Sequence, residues 1–579
     1  MTEFRFIVTN RSYDNWSIFD SNTLSIQDNN LFFLNPYENK LLNDDVFIVS
    51  KDEVMKVNII YSVNRISKNI PCVLVLEGNK TYGRHNKSKL LYKCIPDDTR
   101  LPIFLVPYEL KTNFSKSYIN KYVTINFTHW ENKHPQGSIS QIIGDVNILP
   151  NIYEYQLYCK SLNFSIQSFQ KKAHDLISKF PTNENLIYEI IAKYPSIENR
   201  THLNVFTIDG PTTTDYDDAF STQLMEDGSK IVSIYISNVC IVMDYLNLWN
   251  SFSSRISTIY LPDKKRPMLP TILSDNLCSL QCGNNRIVLT LDIYLNENND
   301  ILKINYLNSL ICVFKNYVYD EEELINNIEY IKLFNIVSRM SRKYKYLNNV
   351  NNSYDLVAYL MIFMNYYTAI ELFKYKNGIF RTNTITSLLK IENMEEIDIP
   401  DDVKNYIKIW NSSKSQYILL TNDKELLINH DSLKIEAYIH ITSPIRRLVD
   451  LLNIIKLQEN LGLFPTSCDS SIFYNNWSLQ IDYINKTMKN IRKVQNDCNL
   501  IMMCMNDESI YNKIYDGYCF DKICRSNGLF QYMIYIPEIK ITSKIVSRIE
   551  MNEYTCSNYK LFLFNDEDNL KKKIKIQLI

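Results

Sequence analysis

The sequence predicts a multidomain α+β protein in which small β-barrels precede a large α+β body and a further barrel closes the chain. Three changes of texture carry that prediction. Over residues 1–150, apolar or alternating runs such as Phe4–Val8, Val46–Val49 and Val73–Leu76 are separated by Asn, Asp and Gly turn signals, the spacing of short strands in OB-type barrels. From about residue 185, strands at Ile231–Ile236, Val288–Tyr294 and Ile301–Tyr306 give way to long helical patterns at 319–346 and 355–375. The last 70 residues return to short strands and finish on KKKIKIQLI.

Two further helices follow from local chemistry. One starts at Ser443-Pro444, with Ser as N-cap and Pro at the first helical position; Ile445, Leu448, Val449 and Leu452 repeat at helical spacing. The other covers about 478–505, where Ile484, Met488, Ile491, Cys498 and Met502 form a stripe that belongs to a core.

At 579 residues the chain has room for about four domains. A composition of 45% hydrophobic and 22% charged residues is that of a globular protein. No apolar run approaches the roughly 18 residues of a membrane span; the longest, Leu356–Met364, stops at Asn365. No membrane association is therefore expected. The N-terminal MTEFRFIVTN has no secretory or transit character. Thirteen scattered cysteines, odd in number and without C-x-x-C pairs, argue for a reducing compartment and against a disulfide frame or zinc site. The expected location is intracellular, with the cytoplasm preferred over the nucleus. A net charge of −1 gives no global attraction to nucleic acid, yet leaves local basic surfaces open. The 41 tyrosines and 11 glycines are read as codon bias.

The chemistry concentrates in TIDGPTTTDYDDA, residues 207–219, which holds Asp209, Asp215, Asp217 and Asp218. Neighbouring carboxylates repel and raise one another's pKa. Hard divalent cations such as Mg²⁺ need oxygen ligands at this density. Val205–Ile208 reads as a buried strand, so the aspartates belong on an irregular loop leaving it. A solvated acidic turn is the commoner meaning of such a loop. The shaped Gly210-Pro211 turn and the apolar flanks weigh against it. The spacing also lacks the Gly and Glu of an EF-hand.

These residues, with three other stretches, resemble the ribonuclease II/ribonuclease R superfamily, whose catalytic module is called RNB. The others are YLPDKKRPMLPTILSDNLCSL before Asn285-Arg286, then YIHITSPIRRLVDLL at 438–452, and an upstream run of PDDTRLP, Trp130, HPQGSI and IGDV. That run is similar to the second cold-shock domain of eukaryotic, exosome-type members. The resemblance is strongest from about 70 to 455 and implies four domains. They are a short cold-shock-like barrel (1–69), a second one (70–150), an RNB α+β domain (151–508) and an S1-type OB barrel (509–579). No PIN nuclease domain is apparent, so no endonucleolytic activity is expected.

The resemblance implies a processive, Mg²⁺-dependent 3′→5′ exoribonuclease that hydrolyses single-stranded RNA to nucleoside 5′-monophosphates, acting as a monomeric catalytic unit. Asp209, Asp215, Asp217 and Asp218 would hold two Mg²⁺ ions, with Mn²⁺ able to substitute, about 3.5–4 Å apart. Asp217, Asp218 and Arg446 would be catalytic. Tyr260, Arg446, Arg447 and Arg286 would bind substrate, Tyr260 by stacking on a base. Arg446 is expected in the first helical turn, with Asp450 as a partner along the helix. Trp130 is expected in a barrel core. The family's glutamate pair is replaced by Ala358 and Tyr359, a further glutamate by Gln495, and a His-Arg pair by Ile454-Ile455. These departures bear on rate and grip on RNA and motivate the alternative, a weak or inactive RNA-binding scaffold.

Overall fold

The computed structural model describes residues 2–27, 34–51, 55–85, 89–110, 118–345, 350–382, 397–412, 415–420, 435–525, 528–566 and 570–579. The chain divides into two compact units. One comprises Met1–Asn163, Leu261–Asp263 and Arg492–Ile579, the other Phe164–Tyr260 and Lys264–Ile491.

In the first unit, β1 (Phe4–Val8), β2 (Trp16–Asp20), β3 (Ile26–Gln27), β4 (Val46–Lys51) and β5 (Met55–Tyr61) form a sheet of order β3-β2-β1-β4-β5. Among the described residues this sheet is open, where the sequence suggested a barrel. β6 (Ile70–Leu74), β7 (Leu90–Pro96), β8 (Phe104–Tyr108), β9 (Lys121–His129) and β10 (Gln136–Asp145) close into a barrel of order β10-β8-β7-β6-β9. Alternation puts Cys72, Leu74, Tyr92, Cys94, Phe104, Val106, Val123 and Ile125 inside. Gly137 is required there, since a Cβ would stand 2.9 Å from the Asn126 carbonyl oxygen. Trp130 is a core residue, as expected, and its Nε1 donates to the Asn132 carbonyl at 3.0 Å.

The second unit is built on a sheet that closes on itself through one long strand. Its members are β11 (Glu198–Asn199), β12 (Val205–Asp209), β13 (Asp218–Leu224), β14 (Lys230–Ser237), β17 (Asn285–Leu295) and β18 (Ile301–Val318), in the order β11-β18-β12-β13-β14-β17. The first part of β18 pairs antiparallel with β17, and its last residues run parallel to β12. Between β14 and β17 lies a ribbon of β15 (Ile259–Tyr260) and β16 (Lys265–Arg266). β19 (Ile379–Thr382) and β20 (Gln416–Leu419) form a separate pair. In the first unit again, β21 (Tyr515–Cys524), β22 (Phe530–Ile536), β23 (Ile541–Ser547), β24 (Cys556–Asp566) and β25 (Lys571–Leu578) make a sheet of order β23-β22-β21-β24-β25. Its outer strands approach each other, so this C-terminal barrel is nearly closed. The basic terminal segment is β25, with Ile576 buried.

Two helices match their expected spans closely, Ser353–Lys374 and Ile481–Asn506. Asn352 caps the first through the Asp355 N–H. That helix is long and apolar enough to cross a bilayer, contrary to the run-length reading. Here it packs against the helices Ile328–Lys343 and Leu448–Leu461, and Asn365 within it accepts from the Ile441 N–H at 3.0 Å. The helix expected over 319–346 begins later, at Ile328, after a short turn Glu322–Ile325. β18 extends to Val318, and Asp320 takes a left-handed φ of 55°. Position 346 lies outside the described residues.

Candidate active site

The four aspartates sit at the mouth of adjacent strands. Asp209 is the last residue of β12 and Asp218 the first of β13, so the loop 210–217 joins two neighbours in the sheet. The loop is pinned along its length by the segment Cys278–Leu280. Ser279 Oγ donates to the Thr214 carbonyl at 2.9 Å and accepts from the Tyr216 N–H at 3.0 Å. Leu280 N–H donates to the Tyr216 carbonyl, and Ser237 N–H to that of Asp217. This gives the LCSL motif its physical meaning: it is the splint of the acidic loop.

Burial and mutual repulsion set the electrostatics. Asp217 is pushed up to about 7 by burial, against the opposing effects of the Arg446 charge and the Ile445 N–H that its Oδ1 accepts at 2.9 Å. Asp209 is raised to about 6, again chiefly by burial. Asp218 is raised well above the carboxylate range by burial, then by the charges of Asp209 and Asp217. Oδ2 of each of these three is buried without a hydrogen-bond partner. Buried carboxylate oxygens that meet no donor are costly, and a hard divalent cation is the ligand that such oxygens fit. Among the described residues, no three His, Cys, Asp or Glu side chains are already gathered into a ligating cluster. The aspartates are electrostatic neighbours and not a formed coordination shell.

Asp215 differs from the other three. Lys265 Nζ donates to its Oδ1 at 2.9 Å and Tyr260 Oη to its Oδ2 at 2.9 Å, so both oxygens are engaged. Lys265 also reaches Thr214 Oγ1 at 2.6 Å and Asp275 Oδ1 at 2.8 Å. Tyr260 keeps 39% of its surface exposed. Its hydroxyl is tied to the loop and its pKa is driven up by burial and then by the Asp215 charge.

Arg446 and Tyr260 both converge on the acidic loop. Arg446 Nε lies 3.3 Å from Asp217 Oδ2, and Nη2 donates to Ser443 Oγ at 2.9 Å, with the side chain 42% exposed. The expected helix start is corrected: the helix begins at Leu448, and Ser443–Arg446 is a turn. Backbone pairing overrides the Ser-Pro signal. Ser257 bridges Arg447, Thr258 N–H donates to the Arg446 carbonyl at 3.0 Å, and Leu448 N–H to that of Ile256 at 2.9 Å. Arg447 is thereby held extended, at φ −136° and ψ 125°. The expected Arg446–Asp450 pair is corrected too. Asp450 Oδ1 accepts from Arg447 Nη2 and from the Ser443 N–H, both at 2.8 Å.

Arg286 does not face the carboxylates. It is 2% exposed and donates to the backbone carbonyls of Ser279, Asn276 and Asn285 at 2.7–2.8 Å. Burial lowers its pKa. Its expected substrate contact is therefore replaced by a clamp on the splint. Tyr359 is buried and donates to the Tyr344 carbonyl. Sequence reading missed Ser279, Lys265, Asp275 and Tyr319. Ser279, Lys265 and Asp275 all lie in the stretch 260–280, where sequence spacing alone does not announce their contacts. Tyr319 is placed by sheet register, its N–H donating to the Asp209 carbonyl at 3.1 Å, and no local signal announces it.

Residues 197–354 match the model of the RNB domain. The chain is 26% identical over 235 residues to the exosome complex exonuclease RRP44 of Homo sapiens, a match covering 40% of this chain and 23% of that protein. It is 24% identical over 334 residues to ribonuclease R of Buchnera aphidicola subsp. Schizaphis graminum, covering 45% of this chain and 46% of the relative. The matched stretch thus spans less than half the length of these two curated relatives. Among solved structures, the RNase R of Mycoplasma genitalium in complex with ribose-methylated single-stranded RNA superposes with a TM-score of 0.68 at 17% identity, covering 99% of this chain and 100% of the other. Yeast Ssd1, described as a pseudonuclease, gives 0.59 at 14% identity, covering 96% and 80%. The fold is that of RNase R, residues 197–354 match the RNB domain, and the chain is similar to members of the ribonuclease II/ribonuclease R superfamily.

Proposed function

We propose that the chain is a divalent-metal-dependent 3′→5′ exoribonuclease that hydrolyses single-stranded RNA processively to nucleoside 5′-monophosphates. The observation that carries this reading is the set of three buried carboxylate oxygens that accept no hydrogen bond, one of them 3.3 Å from the half-exposed Arg446 guanidinium. Asp209, Asp217 and Asp218 would hold the metal, Mg²⁺ by preference, with Asp215 anchoring from behind. When bound, the metal supplies Lewis-acid activation and a water nucleophile at the phosphodiester. Arg446 supplies a forked cation for the phosphate oxygens. Tyr260, its hydroxyl fixed by Asp215, offers its exposed ring to the terminal nucleotide. Lys265 pairs with Asp215 at 2.9 Å and holds that anchor in place. A monomeric, cytoplasmic enzyme belongs to the same proposal.

The fold is shared with a pseudonuclease, so fold alone does not decide activity. An inactive RNA-binding scaffold is the second reading, favoured by Ala358 and Tyr359 at the family's glutamate positions. End-labelled RNA separates the two. With Mg²⁺, a 3′ label should leave first, as mononucleotide, and EDTA should stop its release. A retained 3′ label in a gel-shifted complex would support the scaffold.

A further inference from the structure

A second cluster of charge lies on the other side of the 443–447 turn. The consecutive arginines diverge: Arg446 reaches Asp217, while Arg447 turns to Asp450 and His440. Strand β19 brings Arg381 to the same place. Arg381 stands opposite Tyr417 in the β19–β20 pair, and its N–H donates to the Tyr438 carbonyl at 2.8 Å. Its Nη1 lies 3.4 Å from the His440 ring nitrogens, and its guanidinium sits 5.8 Å from the Tyr417 ring centre.

His440 Nδ1 is thus faced by three groups able to donate: Tyr417 Oη at 2.7 Å, Arg447 Nη1 at 3.3 Å and Arg381 Nη1 at 3.4 Å. One imidazole lone pair satisfies one donor. Arg447 Nε is buried without a partner. Among the described residues no carboxylate pairs with Arg381. Asp450 is the one anion paired in this cluster; one of its oxygens takes Arg447 Nη2 and the Ser443 N–H, and the other has no partner. Arg447 therefore has one carboxylate partner, Asp450, and Arg381 none among the described residues, with donors left over. An excess cation held this way is unfavourable unless an anion completes it.

We propose that Arg381, Arg447 and the Tyr417 hydroxyl form a phosphate-binding site, distinct from the aspartate cluster, that takes a backbone phosphodiester of the RNA strand. Forked guanidinium donors match phosphate oxygens. The 443–447 turn couples this grip to Arg446 through continuous backbone. The inference rests on the RNA-acting reading above and adds a substrate-positioning contact to it.

The test is binding of a single-stranded oligonucleotide in EDTA across a salt series, by the full chain and by its Arg381→Met and Arg381→Lys variants. AMP and inorganic phosphate serve as separate probes, and melting temperature is read alongside. Arg381→Met is expected to weaken oligonucleotide binding about tenfold and to reduce the slope of log affinity against log salt by about 0.7, one phosphate contact on a single strand. Arg381→Lys should keep the slope, and neither variant should melt lower. An unchanged slope with a lower melting temperature would make Arg381 structural and overturn the site. Loss of AMP or phosphate binding with an unchanged oligonucleotide slope would overturn the backbone assignment in favour of a free monophosphate. A parent chain that binds no oligonucleotide would overturn the functional reading along with the site.

Discussion

Asp217 is buried, yet its carboxyl meets one backbone N–H and, at 3.3 Å, the Arg446 guanidinium. Burial drives its pKa up to about 7 and that of Asp209 to about 6. A metal must displace those protons, so cation affinity is expected to climb steeply between about pH 6 and pH 8. Isothermal titration with Mg²⁺ or Mn²⁺ at several pH values measures it; a flat profile would mean that the carboxylates are not the ligands. Asp217→Asn should abolish cleavage while RNA binding survives. Arg446→Lys keeps the charge but loses the fork, and a fall of about 10²-fold in kcat is expected, as for loss of one oriented donor at a developing charge. Steady-state digestion of labelled RNA reads both variants.

The acidic loop depends on elements that carry no charge toward the substrate. Arg286 satisfies three backbone carbonyls of the Asn276–Asn285 segment, and Ser279 in turn holds Thr214 and Tyr216. Arg286→Met leaves buried acceptors unpaired and should destabilise the chain by about 2–4 kcal/mol. Denaturant unfolding measures that loss; a variant as stable as the parent would rule out the clamp. The aspartates were legible because a strand, a turn and four carboxylates fall within a single short segment. Arg286 was misplaced because motif membership does not tell a clamp from a contact. The helix at Ser443-Pro444 was mis-started because Ile256–Thr258, nearly 190 positions away, captures residues 446–448 in bridge hydrogen bonds. The Lys265–Asp215–Tyr260 triad was invisible for the same reason: the β15–β16 ribbon and the loop meet only in three dimensions.

For the whole molecule, the raised carboxylates set a pH dependence of stability opposite to the usual one. Their folded pKa values, about 6 and about 7 for Asp209 and Asp217, exceed the ordinary carboxylate value of 3.8. The folded state therefore holds protons that the unfolded chain has released. Stability from Asp209 and Asp217 is full below about pH 4 and declines as pH rises through their folded values, and Asp218, also raised, adds a decline of the same sign. In EDTA the melting temperature should fall over that interval, and Asp217→Asn should flatten the fall, raising the midpoint at pH 8 by about 5 °C. Added Mg²⁺ should restore the parent at pH 8 by binding the folded state. Calorimetric scans with and without metal test this. A midpoint that rises with pH in EDTA would contradict the assigned burial.

The most direct test of the central claim, that Asp209, Asp217 and Asp218 cage a divalent cation, is titration of the free Mn²⁺ electron-paramagnetic signal against the protein at pH 8. Saturable binding is predicted for the parent, lost in Asp209→Asn and Asp218→Asn, and weakened less in Asp215→Asn, whose carboxylate is already engaged by Lys265 and Tyr260. Equal Mn²⁺ binding by the parent and Asp218→Asn, or none by the parent, would contradict the account.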